Sequence, residues 1–183
     1  IQAETMQANT LLLNEDNIHQ RVIVDTLLEA KQTVWIATAN LKDMHIKAHR
    51  GFEPILQTFD EMVRAGVRIR IIHSDLPSKS FRNTLEEYPV LQQNMELQVC
   101  PRCHWKMVIV DSHSAYFGSA NFTGAGLGVK NIQRRNLEIG TLTTDPAWVQ
   151  QLELQFDEFW MGNFCNHCAL RKKCPDPIDD DQF

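Results

Sequence analysis

Two hydrophobic periods alternate along this 183-residue chain, and the alternation restricts it to an α/β architecture. Residues 33–39 are β-branched and apolar, as a buried strand requires. Residues 67–73 set Val67, Ile69 and Ile71 against Arg68 and Arg70, with the period of two of a strand. Between them Ile55, Leu56, Phe59, Met62 and Val63 recur at helical spacing, and Gly66 stands where a helix ends in the left-handed region. Upstream, Leu11, Leu12 and Leu13 form a short apolar run. Ile18, Val22, Ile23, Leu27 and Leu28 then predict a helix from an N-cap at Asp16 or Asn17 to about Lys31. Residues 40–51 are polar and read as a long loop. Downstream, strands are predicted over 95–99, 106–110, 115–118 and 137–142. A short helix is predicted over 78–87. A closing helix over 146–161 begins with Pro146 and carries Trp148, Leu152, Phe156 and Phe159. The expected fold is a mixed β-sheet flanked by helices on both faces. Residues 1–162 form one domain, and 163–183 are a cysteine-bearing, acidic tail packed on it.

Composition narrows the class. Hydrophobic residues make up 43% and charged residues 22%, enough for a core that needs no disulfide staples. The net charge of −5 excludes a surface that attracts nucleic acid as a whole, so any such binding rests on local patches. No apolar run approaches the ~20 residues that cross a bilayer. No basic segment is followed by a long apolar one, so a cytoplasmic protein is expected. The acidic run Asp179, Asp180 and Asp181 is expected to be solvated.

The chemistry concentrates around His104, Trp105 and Lys106. On a strand these place His104 and Lys106 on one face, with Met107 and Ile109 on the other. An imidazole beside an ammonium suits a phosphate diester: the ring attacks phosphorus or moves a proton while the lysine neutralises the oxygens. Asp111 opens a tight turn. Gly118, at the end of the next strand, allows close backbone approach, and Ser119 and Asn121 add neutral donors. Glu138, near the start of a further strand, is placed to hold an imidazole nitrogen.

His104-x-Lys106-x4-Asp111-x6-Gly118-Ser119-x-Asn121 resembles the signature of the phospholipase D superfamily, with Glu138 similar to a glutamate found downstream in many members. The resemblance covers roughly residues 11–162. It implies a phospholipase D-like fold and a phosphodiesterase with catalytic residues His104, Lys106, Asp111, Ser119, Asn121 and Glu138. Of these, Asp111 is the one most given to a supporting role. It also implies a phosphohistidine intermediate formed by one histidine, with a second protonating the leaving oxygen and no metal needed for the chemistry. One motif per chain then implies a homodimer in which two His104 side chains face each other.

Three functions follow from the residues and the resemblance. The first is an endonuclease on single-stranded DNA or RNA, with Lys42, His45, Lys47, His49 and Arg50 and, from a second segment, Lys130, Arg134 and Arg135 lining a phosphate groove. Trp105 is a candidate stacking face for a base. The second is a phospholipase acting on a lipid such as cardiolipin, which needs an apolar rim or an anchor. The third is a non-catalytic, zinc-bearing nucleic-acid-binding module. A larger assembly through the tail is a further possibility for partners.

Five cysteines lie in two groups, Cys100 and Cys103 before the motif and Cys165, Cys168 and Cys174 in the tail. Two Cys-x2-Cys pairs suit a structural zinc site that pins the tail beside the active site. Cys165-x2-Cys168-x5-Cys174 followed by Pro175 also resembles the cysteine run of iron–sulfur nucleases of the RecB type. His167 is a candidate replacement for one thiolate.

Overall fold

In the computed structural model, which describes residues 9–48 and 51–178, the strand-like segments assemble into one seven-stranded sheet. Its strands are β1 (Thr10–Asn14), β2 (Thr33–Thr38), β5 (Arg68–His73), β6 (Glu96–Val99), β7 (Met107–Val110), β8 (Ser114–Gly118) and β9 (Ile139–Thr143). A separate hairpin pairs β3 (His45–Ala48) with β4 (Gly51–Pro54). The helices are α1 (Ile55–Arg64), α2 (Lys79–Glu86), α3 (Pro89–Asn94) and α4 (Pro146–Trp160). The spatial order is β1-β9-β8-β7-β2-β5-β6. β2, β5 and β6 run parallel, while β7, β8, β9 and β1 alternate in direction.

Strand alternation sends side chains to two cores, so both faces of the sheet are covered as expected. On one face Val34, Ile36, Ile69, Ile71, Val108 and Val110 meet α1 through Leu56 and Phe59, and also Phe81, Leu91 and Phe122. Phe59, Phe81 and Phe122 are fully buried, each stabilising the fold by roughly 2–3 kcal/mol. On the other face Ala37, Ile72, Met107, Ile109 and Ala115 pack on Val149 and Phe156 of α4. Asp145 caps α4 by accepting from the amides of Ala147 and Trp148, and Pro146 occupies the first turn.

Three local expectations change. The predicted helix to Lys31 is instead a π-helical turn at His19–Val24 and a 3-10 turn at Leu27–Glu29. The Thr26 hydroxyl donates to the Arg21 carbonyl, the acceptor that an α-helix would offer the Asp25 amide. That amide reaches back to Gln20 instead. The predicted loop over 40–51 contains β3 and half of the β3–β4 hairpin, because Ile46 is buried between exposed His45 and Lys47. α3 was hidden by Pro89, which serves as its first helical residue. His49, Arg50 and the acidic run from Asp179 to Asp181 lie outside the described residues.

Gly118 and Gly140 face each other across β8 and β9 beneath the Tyr116 ring. A Cβ on Gly140 would stand 2.4 Å from Tyr116 Cε2, and one on Gly118 2.6 Å from Gly140 Cα. Gly118 is thus required for sheet packing, a different reason from the backbone approach to phosphate expected of it. Gly140→Ala should destabilise the protein by roughly 1–3 kcal/mol, read as a lower urea midpoint, since the buried ring has to shift. An unchanged midpoint would refute this packing account.

Candidate active site

The sheet topology brings the motif together. β1, β2, β5, β6 and β8 end, and β7 and β9 begin, at the same edge. The connections there carry Asn40, His104, Lys106, Ser119, Asn121 and Glu138. β7 begins at Met107, so His104 and Lys106 lie in the extended segment leading into it. The Lys106 carbonyl still accepts from the Gly118 amide at 3.1 Å, which ties this lead-in to β8.

His104 is exposed and Lys106 half-buried. The Lys106 ammonium lies 3.1 Å from His104 Nδ1 and donates to the His104 carbonyl at 2.7 Å, which places ring and charge on one patch as the strand period predicts. Asn121 Oδ1 accepts from the Asn40 amide at 3.2 Å and from Thr38 Oγ1 at 3.3 Å. With that oxygen held twice, the Nδ2 amide is what Asn121 has left to offer a phosphate oxygen. Thr38 is almost fully buried and also accepts from the Phe122 amide at 2.9 Å. Thr38 and Asn40 are supporting residues that the sequence reading missed, because their partner is more than 80 positions away.

Glu138 departs from expectation. Among the described residues its carboxylate is held by the Ser119 hydroxyl and by Asn136 Nδ2 at 3.0 Å, not by His104. Ser119 in turn accepts from the Ile139 amide at 3.1 Å. Ser119 therefore donates to Glu138, and the two act as one hydrogen-bonded unit.

Asp111 stands at the other end of β7. Its Oδ1 accepts from the amides of Gln32 and Thr33 at 2.7 and 2.8 Å, and its Oδ2 from the Lys31 amide at 2.7 Å. It clamps the β7–β8 turn onto the start of β2. That gives it a structural place in this chain, away from the His104 edge.

The basic residues divide. Lys42 lies beside the motif, its amide directed at the Phe122 carbonyl, and Lys130 and Arg134 are exposed on the loop between β8 and β9. Lys47 is exposed on β3, near enough to His19 to lower its pKa, although burial is the larger cause. Arg135 donates to the Glu15 carbonyl at 2.9 Å and pairs with Asp16 at 3.2 Å, so it is spent on tertiary structure. Trp105 is half-buried and packs on Phe159 with ring centroids 5.2 Å apart.

All five cysteines are free thiols, and all five line one cavity of about 210 Å³ beside the lead-in to β7. Cys103 is buried in the α4-facing core, where burial pushes its thiol up to about 11. Burial also raises Cys100, which senses the charges of Cys174 and Cys165. Arg102 lowers Cys168 by hydrogen bonding to it. Among the described residues no three His, Cys, Asp or Glu side chains converge closely enough to hold a single ion.

The sequence model of the Cardiolipin synthase, PLD-like domain matches residues 23–160. The chain belongs to the phospholipase D superfamily. At the level of that family the chemistry is phosphodiester hydrolysis. The phospholipase D-like fold is shared with NucT from Helicobacter pylori, at 16% identity and a TM-score of 0.63 over 94% of this chain and 100% of that one. Nuc from Salmonella typhimurium, a phospholipase D family member, aligns at 15% identity and a TM-score of 0.61 with the same coverage. TrmBL2, an archaeal chromatin protein with a novel mode of DNA binding, aligns at 15% identity and a TM-score of 0.50 over 97% of this chain and 56% of its own. No curated protein sequence matches the chain. Among the described residues no helix is long and apolar enough to cross a membrane.

Proposed function

We propose that this phospholipase D superfamily member is an endonuclease on single-stranded nucleic acid that works through a phosphohistidine. The observation that carries the reading is that His104, Lys106, Asn121 and the Ser119–Glu138 pair all stand at the same end of the sheet. One His104 imidazole attacks phosphorus, an N–P bond forms, and the P–O bond to the leaving nucleotide breaks. A second His104 gives that oxygen its proton. Water then attacks phosphorus, its proton passes to the second histidine, and the N–P bond breaks to regenerate the first. Lys106 and the Asn121 amide stabilise charge on the phosphate oxygens. Glu138 and Ser119 border the same patch.

Each chain supplies one such histidine, so the reaction calls for two copies. The surface supports this. Leu12, Leu137 and Ile139 are 73%, 86% and 58% exposed, and the last two flank Glu138. An uncovered apolar group at that place suits a two-fold interface that brings the two patches together. Lys42, Lys130 and Arg134 then supply cations for the phosphate backbone around the shared site.

The same leucines form the apolar rim that a phospholipase needs, so lipid is the competing substrate. The deciding experiment offers labelled single-stranded DNA, single-stranded RNA, duplex DNA and cardiolipin vesicles to the protein in brief EDTA. Cleavage of single strands that survives EDTA, by a protein sedimenting as a dimer, is expected. Release of phosphatidic acid with intact nucleic acid would move the substrate to lipid. Nucleic-acid binding without turnover of anything would make the protein a binding module.

A further inference from the structure

Two separate stretches of chain meet at the cavity of about 210 Å³. The first is the turn after β6, which holds Cys100 and Cys103. The second follows α4 and holds Cys165 and Cys168. That second stretch continues through a 3-10 turn at Arg171–Lys173 to Cys174. Both Cys-x2-Cys turns close in the same way: the second cysteine's amide donates to the first's carbonyl, at 2.8 Å for Cys103 and 3.1 Å for Cys168. Such turns present two thiols on one side of the chain. Five thiols from distant stretches on one cavity, with none paired as a disulfide, are more than a core of inert cysteines requires.

The thiols are not alike. Cys103 is 2% exposed and packs in the core with Met107 and Phe156, whereas Cys100, Cys165, Cys168 and Cys174 are all half-buried. We propose that Cys100, Cys165, Cys168 and Cys174 are the four thiolate ligands of a metal centre, with Cys103 as a packing thiol beside it. Of the two thiolate-bound centres, the occupant inferred is an iron–sulfur cluster rather than a single zinc ion. A single zinc ion draws four sulfurs to about 2.3 Å from one point, and no three donors converge that way here. An iron–sulfur cluster holds its thiolates around a larger body, which suits a cavity of this volume. Four thiolates carry net negative charge after metal binding releases their protons. Arg102 beside Cys168, and Lys172 and Lys173 within the same tail, supply positive charge nearby.

The centre would fasten the tail to the turn four residues before His104. The tail already reaches that region through the Asp176 carboxylate, which accepts from the Val99 amide at 3.0 Å. The metal is structural in this reading and takes no part in phosphoryl transfer.

The test is iron, acid-labile sulfide and zinc analysis of the intact chain purified without oxygen, together with its visible absorption. About four iron atoms and as many sulfides per chain are expected for a cubane cluster. They should be lost in Cys168→Ser and Cys174→Ser and retained in Cys103→Ala. About one zinc per chain without iron, with the same variant pattern, would keep the four-thiolate centre and make its occupant a single ion. A metal-free protein that takes up neither ferrous iron with sulfide nor zinc, while the thiols of Cys100, Cys165, Cys168 and Cys174 react with a thiol reagent, would overturn the proposal without reference to any variant. Metal loss in Cys103→Ala and retention in Cys100→Ser would overturn the ligand assignment.

Discussion

His104→Asn is expected to lower the rate of phosphodiester cleavage by at least about 10³-fold while leaving the thermal midpoint near that of the parent protein. The expected size comes from the two roles the residue fills. In the shared site proposed above, one imidazole would make the covalent bond to phosphorus and the other would deliver the proton, so a single substitution would remove both. Little stability is at stake, because His104 is exposed and its side chain is held by Lys106 alone among the described residues. Asparagine retains a polar group of similar reach but has neither a nucleophilic ring nitrogen nor a proton to deliver to the leaving oxygen. The measurement is single-turnover cleavage of the preferred labelled strand, beside a melting curve of each protein. A variant that cleaves within tenfold of the parent would remove the imidazole from the mechanism. A variant that melts well below the parent would show that His104 carries structural weight absent from its contacts.

Asp111→Ala is expected to destabilise the protein by roughly 2–4 kcal/mol with cleavage per folded molecule nearly unchanged. One carboxylate here accepts from three consecutive backbone amides, those of Lys31, Gln32 and Thr33. Hydrogen bonds to a charged group contribute about 1.5–3 kcal/mol each when desolvated, and two of these three are exposed enough for water to substitute in part. Backbone strain adds to the loss, since Asp111 has φ +53° and alanine in the left-handed region costs about 1 kcal/mol more than a residue suited to it. For a chain of this size the sum corresponds to a fall of about 5–15 °C in melting temperature. Asp111→Asn should lose less, because asparagine tolerates the same φ and keeps an oxygen for two of the amides. The comparison separates clamp from catalyst: a rate lost in proportion to folded protein supports the clamp. A rate lost by orders of magnitude at full stability would return Asp111 to the chemistry.

Much of this was legible from local pattern. The two hydrophobic periods predicted most strands, α1, α2 and α4, and the covering of both sheet faces, since burial on one stripe or one face is written into residue spacing. Pattern failed where a side chain competes with the backbone. Thr26 captures the Arg21 carbonyl and turns an expected α-helix into π and 3-10 turns. It failed again where one buried residue, Ile46, makes a strand out of an otherwise polar segment. Of the basic residues, Arg135 had the composition of a phosphate ligand, yet its charge is committed to Asp16.

The sequence by itself determined the chemical groups and their spacing. His104 and Lys106 share a patch because residues two apart in extended chain share a face, and Ser119 and Asn121 join them because a hairpin returns the chain to the same edge. Tertiary structure decided what each group touches. It gave Asp111 to the amides at the start of β2, Asn121 to Thr38 and Asn40, the Ser119 hydroxyl to Glu138, and gathered cysteines from both ends of the chain's second half onto one cavity. Many of these partners lie about 80 positions or more apart. Local spacing carries no information about which distant amide or thiol will arrive, because that is set by the order and direction in which the strands pair.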